Sequence, residues 1–145
     1  MTRTLALCVL GLCAFATSAD SQRTGELRFV VTGVDANEGG HIRCALYSSE
    51  ATWLDRGRAM RKAAARAGSA RAACVFRNLP AGTYAIAALH DADDDREMDQ
   101  NLVGIPEEGY AISNDAVQRI RPPDFTEASL RFDGERATTS APMHY

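Results

Sequence analysis

Residues 79 to 91 read LPAGTYAIAALHD, a tight turn followed by a run of small and apolar side chains. Pro80 fixes φ and Gly82 tolerates positive φ, so the turn is confined to a few residues. After the turn, alternate side chains from Tyr84 to His90 share one face, and the intervening residues form a second face that is also apolar. A strand that is apolar on both faces belongs in the middle of a sheet. The sequence therefore predicts a central strand over residues 83–91.

Shorter strand-like runs lie on either side of this segment. ELRFVVTGV from Glu26 and HIRCALYS from His41 have the period of half-buried strands, and the turn residues 35–40 between them predict a hairpin. ARAACVFRN from Ala70 predicts another strand, and Asp133-Gly134 predicts a last hairpin. The Ala-rich run from Trp53 to Gly68 predicts one short crossover helix. Together these elements predict a mainly β protein, a small antiparallel Greek-key β-sandwich.

The first residues, MTRTLALCVLGLCAFATSAD, predict a secretory signal peptide cleaved after Ala19. The apolar run from Leu5 to Phe15 is too short to span a bilayer, and no second such segment follows, so no transmembrane segment is expected. Removal of residues 1–19 from 145 leaves a single domain, 20–145, and takes the net charge from −3 to −4. This acidic balance argues against a nucleic-acid partner. The sequence predicts a periplasmic or secreted protein.

Two cysteines, Cys44 and Cys74, remain after the predicted cleavage. Disulfides persist in exported proteins, and a bond closing a loop of this length stabilises by roughly 3 to 4 kcal/mol in the chain-entropy model. Two buried free thiols or a redox pair are the alternatives, although the cysteines lack the close C-x-x-C spacing of redox sites. A structural disulfide is the favoured prediction.

The most concentrated chemical feature is HDADDDREMDQN, from His90 to Asn101. Ca²⁺ prefers six to eight oxygen ligands, which carboxylates at alternate positions of a tight loop supply. The candidate ligands are the carboxylates of Asp91, Asp93, Asp95 and Asp99 and the backbone carbonyl of Glu97. Arg96 occupies the position where an EF-hand has Gly, and Leu102 the position of its bidentate Glu, so the loop is not an EF-hand. A solvated acidic turn without metal stays open as the alternative.

Residues around this loop form a second candidate group. His90 shares a face with Tyr84 and Ile86, which favours a satisfied, partly buried histidine over a ligand or base. The following GIPEEGYAISN segment predicts an ordered loop, and a capped turn at its end. The possible ligand-binding loop comprises His90, Asn101, Glu107, Glu108, Tyr110, Ser113 and Asn114.

A cluster of basic residues is the third feature, and it is either a solvated face or a docking surface for an anionic partner or glycan. It comprises Arg56, Arg58, Arg61, Lys62, Arg66 and Arg71.

Catalytic signals are weak, because there is no G-x-S-x-G or H-E-x-x-H motif. The favoured function is a non-enzymatic exported module that binds a ligand or an envelope partner, with an acidic loop that Ca²⁺ stabilises. One alternative is a structural component that assembles by edge-strand pairing. Another is a metal-assisted hydrolase that uses His90 and neighbouring acids.

Four segments in this order resemble a bacterial exported family known as domain of unknown function 2141, DUF2141. They are LPAGTYAIAALHD, D-x-D-x-D followed by MDQN, GIPEEGYAISNDA and PPDFTEASLRF. The resemblance implies a transthyretin-like (prealbumin-like) or carboxypeptidase-regulatory-like β-sandwich. It implies no activity, because none is assigned to the family.

The acidic loop of the family usually reads H-D-x-N-x-N-G-x-x-D-x-N. The residues that match by position are His90, Asp91, Asp93, Asp95, Asp99 and Asn101. This sequence has Asp where the family usually has Asn, which adds charge to a cation site. It also has Arg96 where the family usually has the Gly that allows the loop to bend.

Overall fold

The computed structural model describes residues 23–96, 108–118 and 121–145. The predicted signal peptide and the second part of the acidic stretch lie outside these ranges. The predictions for Glu97, Asp99, Asn101 and Glu107 therefore also lie outside the described residues.

The described ranges contain eight strands and one short helix, α1, at Phe125–Ala128. Three 3₁₀ turns lie at Glu50–Thr52, Arg56–Arg58 and Ser113–Asp115. The strands are β1 Thr24–Thr32, β2 His41–Tyr47, β3 Arg61–Arg66, β4 Arg71–Pro80, β5 Gly82–Asp91, β6 Tyr110–Ile112, β7 Leu130–Phe132 and β8 Arg136–Pro142. The predicted mainly β class is confirmed, but the one helix of the described residues does not lie in the segment where the sequence predicts it.

The strands form two sheets, one ordered β4-β1-β8 and the other β3-β2-β5-β6, with β7 also pairing with β5. Strand β5 therefore lies between β2 on one side and β6 and β7 on the other. Both of its faces are buried, because Ile86 and His90 on one face and Ala85 and Leu89 on the other are at most 4% exposed. The predicted central strand is confirmed.

The main core lies between the two sheets. Leu27, Phe29 and Val31 of β1 belong to the same buried cluster as Ile42 and Leu46 of β2, on the opposite sheet. Cys44 of β2 and Cys74 of β4 form the predicted disulfide, with their Cα atoms 6.3 Å apart. The disulfide therefore joins the two sheets through the core, in addition to their apolar packing.

Neither predicted hairpin forms. Strands β1 and β2 lie in different sheets, and so do β7 and β8 on either side of Asp133-Gly134. Moreover, β8 runs parallel to β1, so the first sheet is not purely antiparallel. The chain does turn at both places, but each turn carries it from one sheet to the other because the apolar faces of consecutive strands bury against each other.

The turn before β5 shows a related difference. Asn78 adopts a left-handed φ of 53°, whereas Gly82 has no positive φ. Asn tolerates this conformation through its short polar side chain, so the turn residue that needs freedom lies four positions earlier than predicted.

The helix predicted between Trp53 and Gly68 is wrong. The segment forms a 3₁₀ turn at Arg56–Arg58 and then strand β3, which pairs antiparallel with β2. Ala63 and Ala65 pack against the main core, while Lys62 and Ala64 are exposed, which is the alternation of a strand. Pairing with β2 overrides the helix propensity of alanine, which amounts to only a few tenths of a kcal/mol per residue relative to its competitors.

Candidate functional site

The acidic loop, here residues 91–96, leaves the end of the central strand on the outer face of the second sheet. Strand pairing places Asp91 opposite His41 and Leu89 opposite Arg43. The backbones of residues 40 and 91 pass very close at this point, since a Cβ atom on Gly40 would lie 2.1 Å from the backbone oxygen of Asp91. Gly40 also has a φ of +65°, so only glycine fits beside the start of the loop.

Asp91 is the buried end of the loop. Its side chain is fully buried, and its Oδ2 accepts hydrogen bonds from Arg43 Nε and from the backbone N–H of Arg96, the latter at 3.2 Å. The bond to Asp91 is the largest cause of a raised pKa of the Arg43 guanidinium, which desolvation partly offsets. One oxygen of Asp91 therefore links the loop to strand β2 by hydrogen bonds.

The other oxygen of Asp91 is different. Within the described part of the chain, Asp91 Oδ1 is buried without a hydrogen-bond partner. A buried acceptor left in this state costs roughly 1 to 3 kcal/mol, so native proteins rarely leave one unsatisfied. Such an atom in a carboxylate indicates a partner other than the residues that the structure describes.

Two further carboxylates meet Asp91. Asp91, Asp93 and Asp95 each contribute one carboxylate oxygen to a group in which these atoms lie within 4.8 Å of one another. Asp93 and Asp95 are exposed, so the group has a buried end at Asp91 and an open end toward solvent. The ligand atoms are all oxygens, which suit a hard cation such as Ca²⁺.

Asp94 does not belong to this group. Its Oδ1 contacts His41 Nδ1 at 2.6 Å and accepts a hydrogen bond from Arg43 Nη2 at 3.1 Å. The hydrogen bond with His41 is the main reason that the pKa of the Asp94 carboxyl is lowered. Asp94 therefore pairs with side chains of strand β2, whereas Asp93 and Asp95 on either side of it lie close to each other.

The backbone of the loop bends at two residues with left-handed conformations, Asp94 at φ 65° and Arg96 at φ 70°. The side chain of Asp93 accepts a hydrogen bond from the backbone N–H of Asp95 at 3.1 Å, which closes a small turn between them. Arg96 thus adopts the type of conformation that favours glycine, at the position where the family motif has Gly. The substitution does not prevent the bend.

His90 lies in the interior, with both ring nitrogens bonded. Nε2 is 2.9 Å from the carbonyl oxygen of Gly39, and Nδ1 is 2.8 Å from Tyr145 Oη, which accepts a bond from the backbone N–H of Asp35. Gly39 O can only accept, so Nε2 carries a proton. Nδ1 also lies 3.4 Å from Glu38 Oε2. Burial is the main cause of the raised pKa of Tyr145. These contacts tie the C-terminus to the end of β5.

Most of the other described members of the predicted ligand loop are engaged in contacts with the protein backbone. Glu108 Oε1 accepts a bond from the N–H of Ala92 at 3.3 Å, and Tyr110 pairs with Leu89 and bridges to His144. Asn114 donates to the carbonyl oxygens of Glu127 and Ser129.

Ser113 is buried, and its Oγ accepts a bond from Ile86 N at 2.9 Å and lies 2.6 Å from Ala128 O. The structure does not gather these residues around one pocket.

The described histidines contact carboxylates, a tyrosine and a backbone carbonyl. His41 pairs with Asp94, His144 Nε2 lies 2.7 Å from Asp115 Oδ1, and His90 contacts Tyr145. No described histidine is hydrogen-bonded to a serine, a threonine or a free thiol, which is the contact that activates a nucleophile.

Sequence inspection missed the role of Arg43. Its side chain contacts both Asp91 and Asp94 and also lines a neighbouring cleft. Nothing local in HIRCALYS marks this residue, because its contacts arise only when β2 pairs with β5.

The predicted basic cluster does not form one surface around that cleft, since only Arg56 and Lys62 of its members line it.

Comparison with known protein families places this chain in a family of bacterial proteins. The family model described as an uncharacterized protein conserved in bacteria, DUF2141, matches residues 30–140. The chain belongs to the DUF2141 family. The resemblance noted from the four sequence segments is confirmed. Neither a curated protein nor a solved structure matches the chain.

The DUF2141 match covers β2 to β7 completely and β1 and β8 in part, and it includes the loop that carries Asp91, Asp93 and Asp95. The acidic loop therefore lies inside the region that defines the family. Within the described ranges, no helix has the length and apolar character needed to cross a membrane.

Proposed function

We propose that this DUF2141 protein is an exported, non-enzymatic β-sandwich module whose acidic loop binds Ca²⁺ and which presents the adjoining surface to a ligand or envelope partner. The observation that carries the calcium proposal is the buried Asp91 Oδ1, which has no hydrogen-bond partner among the described residues. A divalent cation would satisfy this atom and offset the repulsion between the carboxylates of Asp91, Asp93 and Asp95.

Calcium is favoured over transition metals because the candidate ligands are all oxygens. The candidate ligands are carboxylate oxygens, whereas zinc and copper sites use imidazole or thiolate groups. Three carboxylates supply only part of the six to eight oxygens that Ca²⁺ takes, so backbone carbonyls and water would supply the rest. Arg43, already bonded to Asp91, adds a repulsive charge. We therefore expect weak binding, on the order of 10⁻⁴ to 10⁻³ M, as in extracellular modules.

Export is proposed from the first 19 residues, and the non-enzymatic character from the described histidines, which contact carboxylates, a tyrosine hydroxyl and a backbone carbonyl. Edge-strand assembly is supported less well. Edge strand β3 carries Arg61, Lys62 and Arg66, and positive charges along an edge discourage pairing with another chain.

Thermal melts of the purified protein in EDTA, CaCl₂ and MgCl₂ test the calcium proposal. A ligand that binds only the folded state stabilises it by about 2.7 kcal/mol at a hundredfold excess over Kd. We expect calcium to raise the melting temperature more than magnesium does. Asp93→Asn and Asp95→Asn should reduce the calcium effect.

Glu50→Gln is the matched control, because Glu50 is exposed and lies in a 3₁₀ turn away from the loop. It removes the same charge and should keep the full calcium response. Asp91→Asn is unsuitable, since it also breaks the bond to Arg43. Identical melting of the parent protein in EDTA and in calcium would refute the site, and the acidic loop would then be a solvated turn.

A further inference from the structure

A cleft of about 650 Å³ lies beside the acidic loop, on the outer face of the second sheet. Arg43 and Ala45 on β2 and Lys62 and Ala64 on β3 form its floor, with Ala45 paired opposite Lys62 and Arg43 opposite Ala64. Arg56–Gly57 of a 3₁₀ turn and Arg96 of the acidic loop line it as well. The small alanine side chains leave the space between the longer basic ones open.

The described lining contains four basic side chains and no acidic one. Arg43 is compensated by Asp91 and Asp94. Within the described ranges, the side chains of Arg56, Lys62 and Arg96 form no ion pair. The nearest acid to Arg56 in sequence, Asp55, instead accepts a hydrogen bond from the backbone N–H of Gly57 at 3.0 Å. Three cations without an ion-pair partner among the described residues therefore line one concave surface.

Charge and size together define the ligand class. Guanidinium groups bind carboxylate and phosphate through paired hydrogen bonds, and an ammonium group adds a further charge. A volume of this size is typical of sites for small molecules. The net charge of the chain, −3, disfavours a long polyanion, which requires a dominant basic surface.

We propose that this cleft binds a small molecule that carries two or more oxyanion groups, carboxylate or phosphate. Arg56, Lys62 and Arg96 contact the anionic groups, and Arg43, oriented by Asp91, forms the floor between them. This inference names the ligand of the proposed binding module, and so rests on its binding role, but it does not require calcium at the acidic loop.

Isothermal titration calorimetry with three probes tests the proposal. Fructose 1,6-bisphosphate supplies phosphate groups, tricarballylate supplies carboxylates, and fructose is the neutral control. Each titration is run on protein that has been stripped of metal and then dialysed free of chelator, and again in CaCl₂, so that loss of calcium binding and loss of anion binding are separate results. EDTA is left out of the cell because it is itself a polycarboxylate. We expect at least one of the two anions to bind to the metal-free protein and fructose not to bind.

Substitutions locate the site. Lys62→Gln and Arg56→Gln should each weaken anion binding about tenfold, because each removes a charged hydrogen-bond donor. Arg71→Gln is the matched control, since it removes the same charge from an exposed residue at the start of β4, in the other sheet. It should leave the affinity unchanged.

Three outcomes would overturn the proposal: no heat with either anion, equal binding of fructose, or the same loss of affinity in Arg71→Gln as in Lys62→Gln. Binding of only one anion supports it and shows whether the cleft prefers phosphate or carboxylate. Anion binding that persists when the protein shows no calcium response would retain the cleft and reject the metal site alone.

Discussion

At the scale of single residues, the loop after β5 combines strain with unsatisfied polarity. Asp94 and Arg96 have left-handed φ values, a conformation that costs a non-glycine residue about 1 kcal/mol. Asp91 adds a buried oxygen without a hydrogen-bond partner in the described structure. Such costs are retained in proteins mainly at functional sites, which is why the loop is the focus of the proposed function.

Arg96→Gly should stabilise the protein in EDTA by about 0.5 to 1 kcal/mol, because glycine adopts the φ of 70° without strain. The gain is limited by the greater freedom of glycine in the unfolded chain. Urea unfolding measures the difference. Arg96→Gln is the control, since it removes the charge but keeps the strain. If the free energy of unfolding rose equally in both variants, relief of charge repulsion and not of backbone strain would be the cause.

The residue types of this site could be identified from the sequence, because carboxylates at alternate positions are a local pattern. The partners of those carboxylates could not. Asp91 contacts Arg43, which is 48 residues away, and Asp94 contacts His41, 53 residues away. Such contacts depend on strand register, which no short window of sequence contains.

At the scale of elements, β5 is the strand to which β2, β6 and β7 all pair, but β6 and β7 pair with separate parts of it. Strand β7 pairs with β5 as far as Tyr84, and β6 pairs from Ala87 onward. Between them the N–H of Ile86 donates to the side chain of Ser113 at 2.9 Å. The buried hydroxyl therefore replaces a missing strand residue and joins the two short strands through Ala128 O, 2.6 Å away.

Ser113→Ala should lower the free energy of unfolding by roughly 1 to 3 kcal/mol, because it leaves the buried N–H of Ile86 without a partner. Urea unfolding followed by circular dichroism gives the value. Ser140→Ala on β8 is the matched control, since Ser140 is exposed, and its effect should stay within about 0.5 kcal/mol. A loss of stability no larger than that of the control would show that water satisfies Ile86 in the variant.

Elements were predictable where the local pattern and the tertiary environment agree. The apolar period of residues 83–91 marks a strand that the core also requires. The segment from Trp53 to Gly68 illustrates the opposite case, since alanine favours a helix while pairing with β2 requires a strand. Trp53 packs edge-on between Tyr47 and Phe125, outside any helix. The helix propensity of alanine is small, so burial and strand pairing determine the structure of this segment.

At the scale of the whole molecule, the two sheets are joined by apolar packing and by the Cys44–Cys74 bond. The bonded cysteines are 30 residues apart, and the closed loop contains β3 and both early 3₁₀ turns. The disulfide therefore restricts the unfolded chain over the segment that carries Arg56 and Lys62 of the anion cleft.

Replacing both cysteines with alanine should cost about 3 to 4 kcal/mol, the loop entropy restored to the unfolded state. Urea unfolding of the parent protein and of the double variant measures the cost. A reducing agent should lower the stability of the parent by a similar amount and leave the variant unchanged. A difference below about 1 kcal/mol would contradict the prediction. The association of the two sheets would then be stabilised almost entirely by the apolar core.

The sequence by itself determined the β class, the central strand, the disulfide partners, the family and the acidic residues of the loop, because each depends on local pattern, on composition or on a pair of cysteines. Only the tertiary structure decided that the turns cross between sheets, that β8 runs parallel to β1, and that Arg43 meets Asp91. The physical reason is burial. The apolar faces of distant strands cover one another, and the register of that packing determines which polar groups meet at the surface.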